Sequence, residues 1–190
     1  TFIYRRPLYT KIAKGIVLFA ICYLLFAIFQ LWYADTLFAQ GEKASEAGNP
    51  GKAYNLFSAA SQLNKDEPFY RSELAFAAAQ AATALQETDA TLSAALKDEA
   101  VLHTEKVLKE NPKNVSYFRT AVRTYFELSL IDKTLEVLSQ SIKLAPTDPK
   151  LYYNKALILQ AMDKKNEATD ALNQAIKLKP NYLEAQELLK

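Results

Sequence analysis

Residues 149–182 read PKLYYNKALILQAMDKKNEATDALNQAIKLKPNY. Bulky Tyr152, Leu159 and Leu172 alternate there with small Ala156, Ala168 and Ala175, and Pro180 closes the run. Folded as two antiparallel helices, the bulky side chains hold the pair together, and the small ones let the helices of this pair and the next approach closely. The pattern recurs with a period of 34 residues: Gly41, Gly48, Ala53, Phe57 and Ala60 are echoed by Ala156, Asp163, Ala168, Leu172 and Ala175. Prolines at 112, 146 and 180 keep the same spacing. Proline cannot continue a helix interior, so each one marks a turn between helix pairs.

This rhythm resembles the tetratricopeptide (TPR) repeat family. The resemblance implies an all-α fold, a right-handed TPR α-solenoid of antiparallel helix pairs over residues 35–190. It also implies a protein that binds other chains and rarely performs chemistry. The register gives repeats at 34–67, 68–114, 115–148 and 149–182, with a partial capping helix at 183–190. Leu37, Gly41, Ala53, Phe57 and Ala60 define the first, and Phe118, Ala121, Val122, Tyr125 and Leu138 the third, where Thr134 and Ser141 replace the usual alanines. The second repeat holds 47 residues, 13 more than the period. Its surplus around QETDAT (86–91) is alanine-rich, so both its helices are expected to be longer by about two turns and to project roughly 10 Å past their neighbours.

Upstream of the repeats, residues 15–34 read GIVLFAICYLLFAIFQLWYA without a charge. Twenty helical residues rise about 30 Å, the thickness of a bilayer's hydrocarbon core, so this segment reads as a transmembrane helix. Trp32 and Tyr33 fall where amphipathic rings favour the headgroup region. Arg5, Arg6, Lys11 and Lys14 precede it, whereas Asp35 and Glu42 are the first charges after it. The positive-inside bias makes residues 1–14 a basic cytoplasmic flank and places the repeats outside the cytoplasm. A secretory signal is the competing reading, but it has a shorter apolar region and a small-x-small cleavage site, which is missing here. The chain opens on Thr1 rather than Met, which suggests a fragment or a processed chain.

Without the four flanking basic residues, 19 Lys and Arg stand against 21 Asp and Glu, which speaks against nucleic acid as a partner. The single Cys22 lies in the apolar span, so there is no disulfide framework and no thiolate metal site. His103 is the only histidine, and no GxSxG elbow, HExxH, EF-hand or glycine-rich phosphate loop is present. The chain reads as a non-enzyme without cofactor or metal. Glu42 and Glu46, and likewise Lys164 and Lys165, read as solvated charges.

The expected site is the concave face lined by the first helix of each repeat. In register, Phe38 and Glu42 come from the first repeat, Phe69, Glu73 and Phe76 from the second, Arg119, Arg123 and Phe126 from the third, and Lys150, Tyr153 and Asn154 from the fourth. Aromatics supply contact area and arginines recognise carboxylates, so a protein or peptide with acidic groups is the expected partner. Inter-repeat packing is the competing role for Phe126 and Tyr153. The carboxylate clamp of chaperone-tail-binding family members is absent, because the corresponding positions hold Phe38 and Glu42, or Ser72 and Phe76.

The junction LWYADTLFAQGEKASEAGNPGKAYNLFSAASQLNKDEPFYRSELA (31–75) resembles the C-terminal part of bacterial O-antigen ligase or polymerase-like membrane proteins. That resemblance implies the non-catalytic tail of a larger protein that transfers lipid-linked glycan, with catalytic loops upstream of this region. Two functions therefore lead: a membrane-anchored scaffold in a bacterial envelope, or such a tail, for which alone a glycan is an expected partner; a third, a cytoplasmic adaptor anchored by its N-terminus, needs the opposite topology.

Overall fold

The computed structural model describes the backbone of residues 6–189 and the side chains of residues 11–189. Residues 1–5 of the expected basic flank, and Lys190 of the expected cap, lie outside the described residues. The described chain is helical throughout: α1 (Arg6–Glu46), α2 (Pro50–Leu63), α3 (Pro68–Leu85), α4 (Ala90–Glu110), α5 (Val115–Glu127), α6 (Ile131–Leu144), α7 (Pro149–Ala161), α8 (Lys165–Leu178) and α9 (Leu183–Leu188). Consecutive helices pack side by side, α1 on α2 through α8 on α9.

Local chemistry sets the boundaries. Pro50, Pro68 and Pro149 begin helices, where a missing N–H costs nothing. The side chains of Asn49, Glu67, Asp89, Asn114 and Asp148 accept hydrogen bonds from free backbone N–H groups just inside α2, α3, α4, α5 and α7. Pro112, Pro146 and Pro180 sit in the turns after α4, α6 and α8.

Three of the turns inside pairs need a left-handed residue: Gly48 at φ 69°, Ser129 at φ 56° and Asp163 at φ 58°. Only glycine adopts this region freely. Ser129→Gly is therefore expected to stabilise the fold by about 1 kcal/mol, read as a higher urea midpoint.

Four clusters of buried side chains hand over along the array. The first joins α1, α2 and α3 through Phe38, Phe57, Tyr70 and Leu74. Ala78, Ala82, Leu96, Ala100 and Leu128 tie α3 and α4 to the end of α5. Phe118, Val122, Tyr125, Leu138, Leu151 and Ile158 join α5, α6 and α7, and Ala156, Leu172, Ala175 and Tyr182 join α7, α8 and α9. The small residues are where the helices touch. A methyl group on Gly41 would lie 2.6 Å from the Phe57 ring, so α2 reaches α1 only because that side chain is absent. Thr134, where an alanine is usual, is buried and donates its hydroxyl to the Leu130 carbonyl at 2.9 Å.

α3 and α4 hold 18 and 21 residues, against 13 and 14 in α5 and α6. The surplus lengthens both helices, and their far ends stand beyond the α5–α6 turn by roughly 7–10 Å. A cleft of about 350 Å³ opens there, lined by Thr83, Gln86, Ser93, Lys97, Glu127 and Ser129 among others.

α1 is a single unbroken helix of 41 residues, so the apolar segment runs straight into the first helix of the array. From Ile12 to Tyr33 its large apolar side chains are exposed, from 45% at Tyr33 to 75% at Phe19. This helix is long and apolar enough to cross a membrane. Its one strongly polar side chain in the segment is not idle. Gln30 Nε2 donates to the Leu63 carbonyl at 2.8 Å, satisfying a free C-terminal carbonyl of α2.

Candidate partner-binding groove

α3 packs on α5, and side-chain contacts carry the same row of first helices back to α1 and on to the start of α7. Phe38 on α1 stacks on Tyr70 of α3, Thr120 of α5 donates to Glu73 of α3 at 3.4 Å, and Arg119 of α5 pairs with Asp148 at the start of α7. These contacts also show which of the expected groove residues are free to meet a partner.

Phe38 is a correction. It is 6% exposed, with ring centroids 4.7 Å from Tyr70, 4.9 Å from Phe57 and 5.1 Å from Phe69. Three rings from α2 and α3 close over it, so it belongs to the core rather than to the open face. Phe76 is a second correction: it is 8% exposed because the Arg123 guanidinium lies over its ring, 3.9 Å from the centroid. Tyr153 is half-buried against Tyr182, with centroids 5.2 Å apart. Asn154 is half-buried, and Glu42 and Lys150 are exposed.

Phe69 and Phe126 remain open, at 40% and 43% exposure. Arg123 is exposed on its outer side, whereas Arg119 is already engaged by Asp148. The basic centre expected from two free arginines is thus a mixed one, with a single open guanidinium. Sequence reasoning missed Asp148 because its signature, Asp before Pro149, reads as a helix start. It serves as both cap and counterion, accepting from the Lys150 N–H at 3.0 Å.

Glu73 sits between Arg123 and Thr120. Burial raises its carboxyl above the ordinary 4.5, opposed by Arg123 and the Thr120 hydroxyl and reinforced by the charge of Glu42. An acid whose folded pKa is raised holds its proton while the unfolded chain has lost it. Its contribution to stability therefore falls as pH rises above 4.5 through the folded titration. Glu73→Gln is expected to flatten that part of the stability profile, measured as the urea midpoint between about pH 4 and pH 7.

His103 lies on the opposite face. Its Nε2 is 3.4 Å from Glu99, which accepts from the Tyr54 hydroxyl at 2.8 Å. Burial lowers its pKa, and the trio ties α2 to α4. Among the described residues no group of three or more His, Cys, Asp or Glu side chains is arranged to hold a metal.

Residues 149–182 match the family model described as tetratricopeptide repeat. MamA from residue 41 to its end, from Desulfovibrio magneticus RS-1, superposes with a TM-score of 0.57 at 18% identity, covering 82% of this chain and 81% of that one. YrrB, a TPR protein with an unusual peptide-binding site, gives 0.59 at 13% identity over 82% of this chain and 73% of that one. Another MamA structure gives 0.56 at 14% identity over 82% and 78% of the two chains. No curated protein matches. Neither the family match nor these structures carry the likeness to O-antigen ligases. The chain is thus a long apolar helix followed by helical repeats with the TPR fold, and its residues 149–182 match that family's repeat.

Proposed function

We propose that this chain is a membrane-anchored scaffold that holds a protein or peptide partner on the face formed by α1, α3, α5 and α7. The carrying observation is a pair of open aromatic rings on adjoining helices, Phe69 at the start of α3 and Phe126 at the end of α5, with the exposed guanidinium of Arg123 over Phe76 on the same two helices. Large rings fixed in position give contact area at little entropic cost, and a guanidinium held over the Phe76 ring is preorganised to receive a carboxylate. The peptide-binding site for which YrrB is described supports the same use of the fold. The apolar stretch of α1 supplies the anchor, and Lys11 and Lys14 before it favour a cytoplasmic N-terminus with the repeats on the other side.

A peptide library panned on the full chain in detergent micelles tests the groove. Enriched peptides are expected to carry Asp or Glu beside an apolar residue. Their binding should fall at least about tenfold in a Phe126→Ala, Arg123→Ala double variant with an unchanged melting midpoint. Equal binding by the variant removes the groove assignment.

A second reading is favoured by the unbroken run of α1 into the repeats, which suits the end of a polytopic protein such as a glycan ligase. On that reading the array docks glycan or its carrier and performs no chemistry. The parent reading frame separates the two, since the second requires further apolar spans upstream.

A further inference from the structure

The array has two edges, and α1 makes them unequal. The loops leading from the second helix of one pair to the first of the next all lie along one edge. Arg71 links the α2–α3 loop to the end of α4, donating to the Lys65 carbonyl at 2.6 Å and pairing with Glu110 at 2.7 Å. Arg119 links the start of α5 to Asp148 in the α6–α7 loop, and the charge of Asp148 reaches Tyr182 in the α8–α9 loop. This edge meets the apolar segment at the Gln30 to Leu63 hydrogen bond, where residues 62–66 and Ala27, Gln30 and Leu31 line a common recess. The opposite edge, with the overhanging ends of α3 and α4, begins about 24 Å further along α1, at Glu46.

The first edge therefore stands level with the end of the apolar span. Asn64, Lys65 and Asp66 share this recess with Ala27, Gln30 and Leu31 of α1, so on this face polar groups of the first loop lie beside the last turns of the apolar segment. Because α1 is unbroken, this geometry is rigid and not that of a domain on a flexible tether.

The charges on this edge suit that position. Lys65, Lys113, Lys143, Lys150, Lys177 and Lys179 are all exposed at or beside these loops. Among the described residues none of the six forms an ion pair, although Lys179 rests over the Tyr182 ring at 4.7 Å. The acids that could neutralise them are partly taken, Glu110 by Arg71 and Asp148 by Arg119. At the far edge Lys133, Lys164 and Lys165 are paired with Glu105, Glu167 and Asp163, and among the described residues Lys43, Lys52 and Lys97 are exposed there without an ion pair, so the edges differ as six open lysines against three.

We propose that the loop edge carrying these six lysines lies against the membrane surface and is held there by anionic lipid headgroups. The proposal rests on the reading of α1 as a membrane anchor. Basic side chains close to an anionic leaflet are attracted within a Debye length, about 10 Å at moderate salt, and the Gln30 contact holds the nearest loop inside that range. The array then lies with its helices upright on the bilayer, and the long α3–α4 hairpin points away from it.

The test uses the full chain in vesicles of phosphatidylcholine, with or without about one third phosphatidylglycerol. In a Cys22→Ser background, a fluorophore is attached through Lys113→Cys at the proposed contact edge or through Gln86→Cys at the far one. Lipids spin-labelled at the headgroup act as quencher. In anionic vesicles the Lys113 position is expected to be quenched at least about twofold more than the Gln86 position. The part of this excess above the value in pure phosphatidylcholine, which the rigid α1 sets, should disappear at about 0.5 M salt and in a variant carrying Lys65→Glu, Lys143→Glu, Lys177→Glu and Lys179→Glu. Equal quenching of the two positions on a chain that floats with the vesicles overturns the edge contact and leaves the anchor standing. Excess quenching that persists unchanged in pure phosphatidylcholine overturns the role of headgroup charge. A chain that washes off the vesicles at alkaline pH overturns the anchor itself, and this proposal with it.

Discussion

Phe38→Ala is expected to lower the unfolding free energy of the repeats by about 3–5 kcal/mol, the usual cost of emptying a buried aromatic site. The site cannot collapse cheaply. Phe57 and Tyr70, the walls of the hole, belong to α2 and α3, and each is itself 5% exposed or less. The loss also removes the clamp that keeps α2 along α1, so the contact of Gln30 with Leu63 should fail early in unfolding. The measurement is a urea titration of the full chain in detergent micelles, followed by helical circular dichroism. Phe69→Ala is the control: at 40% exposure it should cost no more than about 1–1.5 kcal/mol. If the two variants lose the same stability, the assignment of Phe38 to the core is wrong.

The contrast between those rings explains what was legible in the sequence. Fold class was open to reading because it depends on spacing: Ala156, Ala168 and Ala175 recur where helices touch, and prolines recur where chains turn. Apolar length likewise marked α1. The site was less legible because register assigns a residue to a face but says nothing of what lies on top of it. Phe38 and Tyr153 hold the same register position, yet one is sealed by three rings and the other is half-covered by Tyr182. Phe76 had the right position for a groove anchor, but a guanidinium from 47 positions along the chain lies over it. Arg119 had the right position and charge, but Asp148 in the next loop takes it up. Such pairings join residues with no sequence signature in common, so they emerge only when the helices are stacked. The unequal edges have the same origin, since unpaired lysines cannot be distinguished from paired ones until the partners are in place.

Leu151→Ala should produce the second large effect, a loss of about 2–5 kcal/mol that is local rather than global. Leu151 is fully buried at the start of α7, where it inserts into the cluster formed by Phe118, Val122 and Leu138 of α5 and α6. The cluster that follows, built on Ala156, Leu172 and Tyr182, is made by α7, α8 and α9 alone. In an array where each pair touches only its neighbours, stability is a sum of units and the interfaces between them. Weakening one interface then uncouples what lies beyond it, and here that is the unit of α7, α8 and α9. Hydrogen exchange in the native state should therefore show faster exchange across residues 149–189, while α1, α2 and α3, joined by the cluster of Phe38, Phe57 and Tyr70, keep their protection. Uniform acceleration across all repeats would mean that the array unfolds as one unit. Tyr153 and Asn154 would be unhinged together with α7, whereas Phe69, Arg123 and Phe126 would stay in place. A partner that still binds this variant at full strength draws on the first three repeats alone.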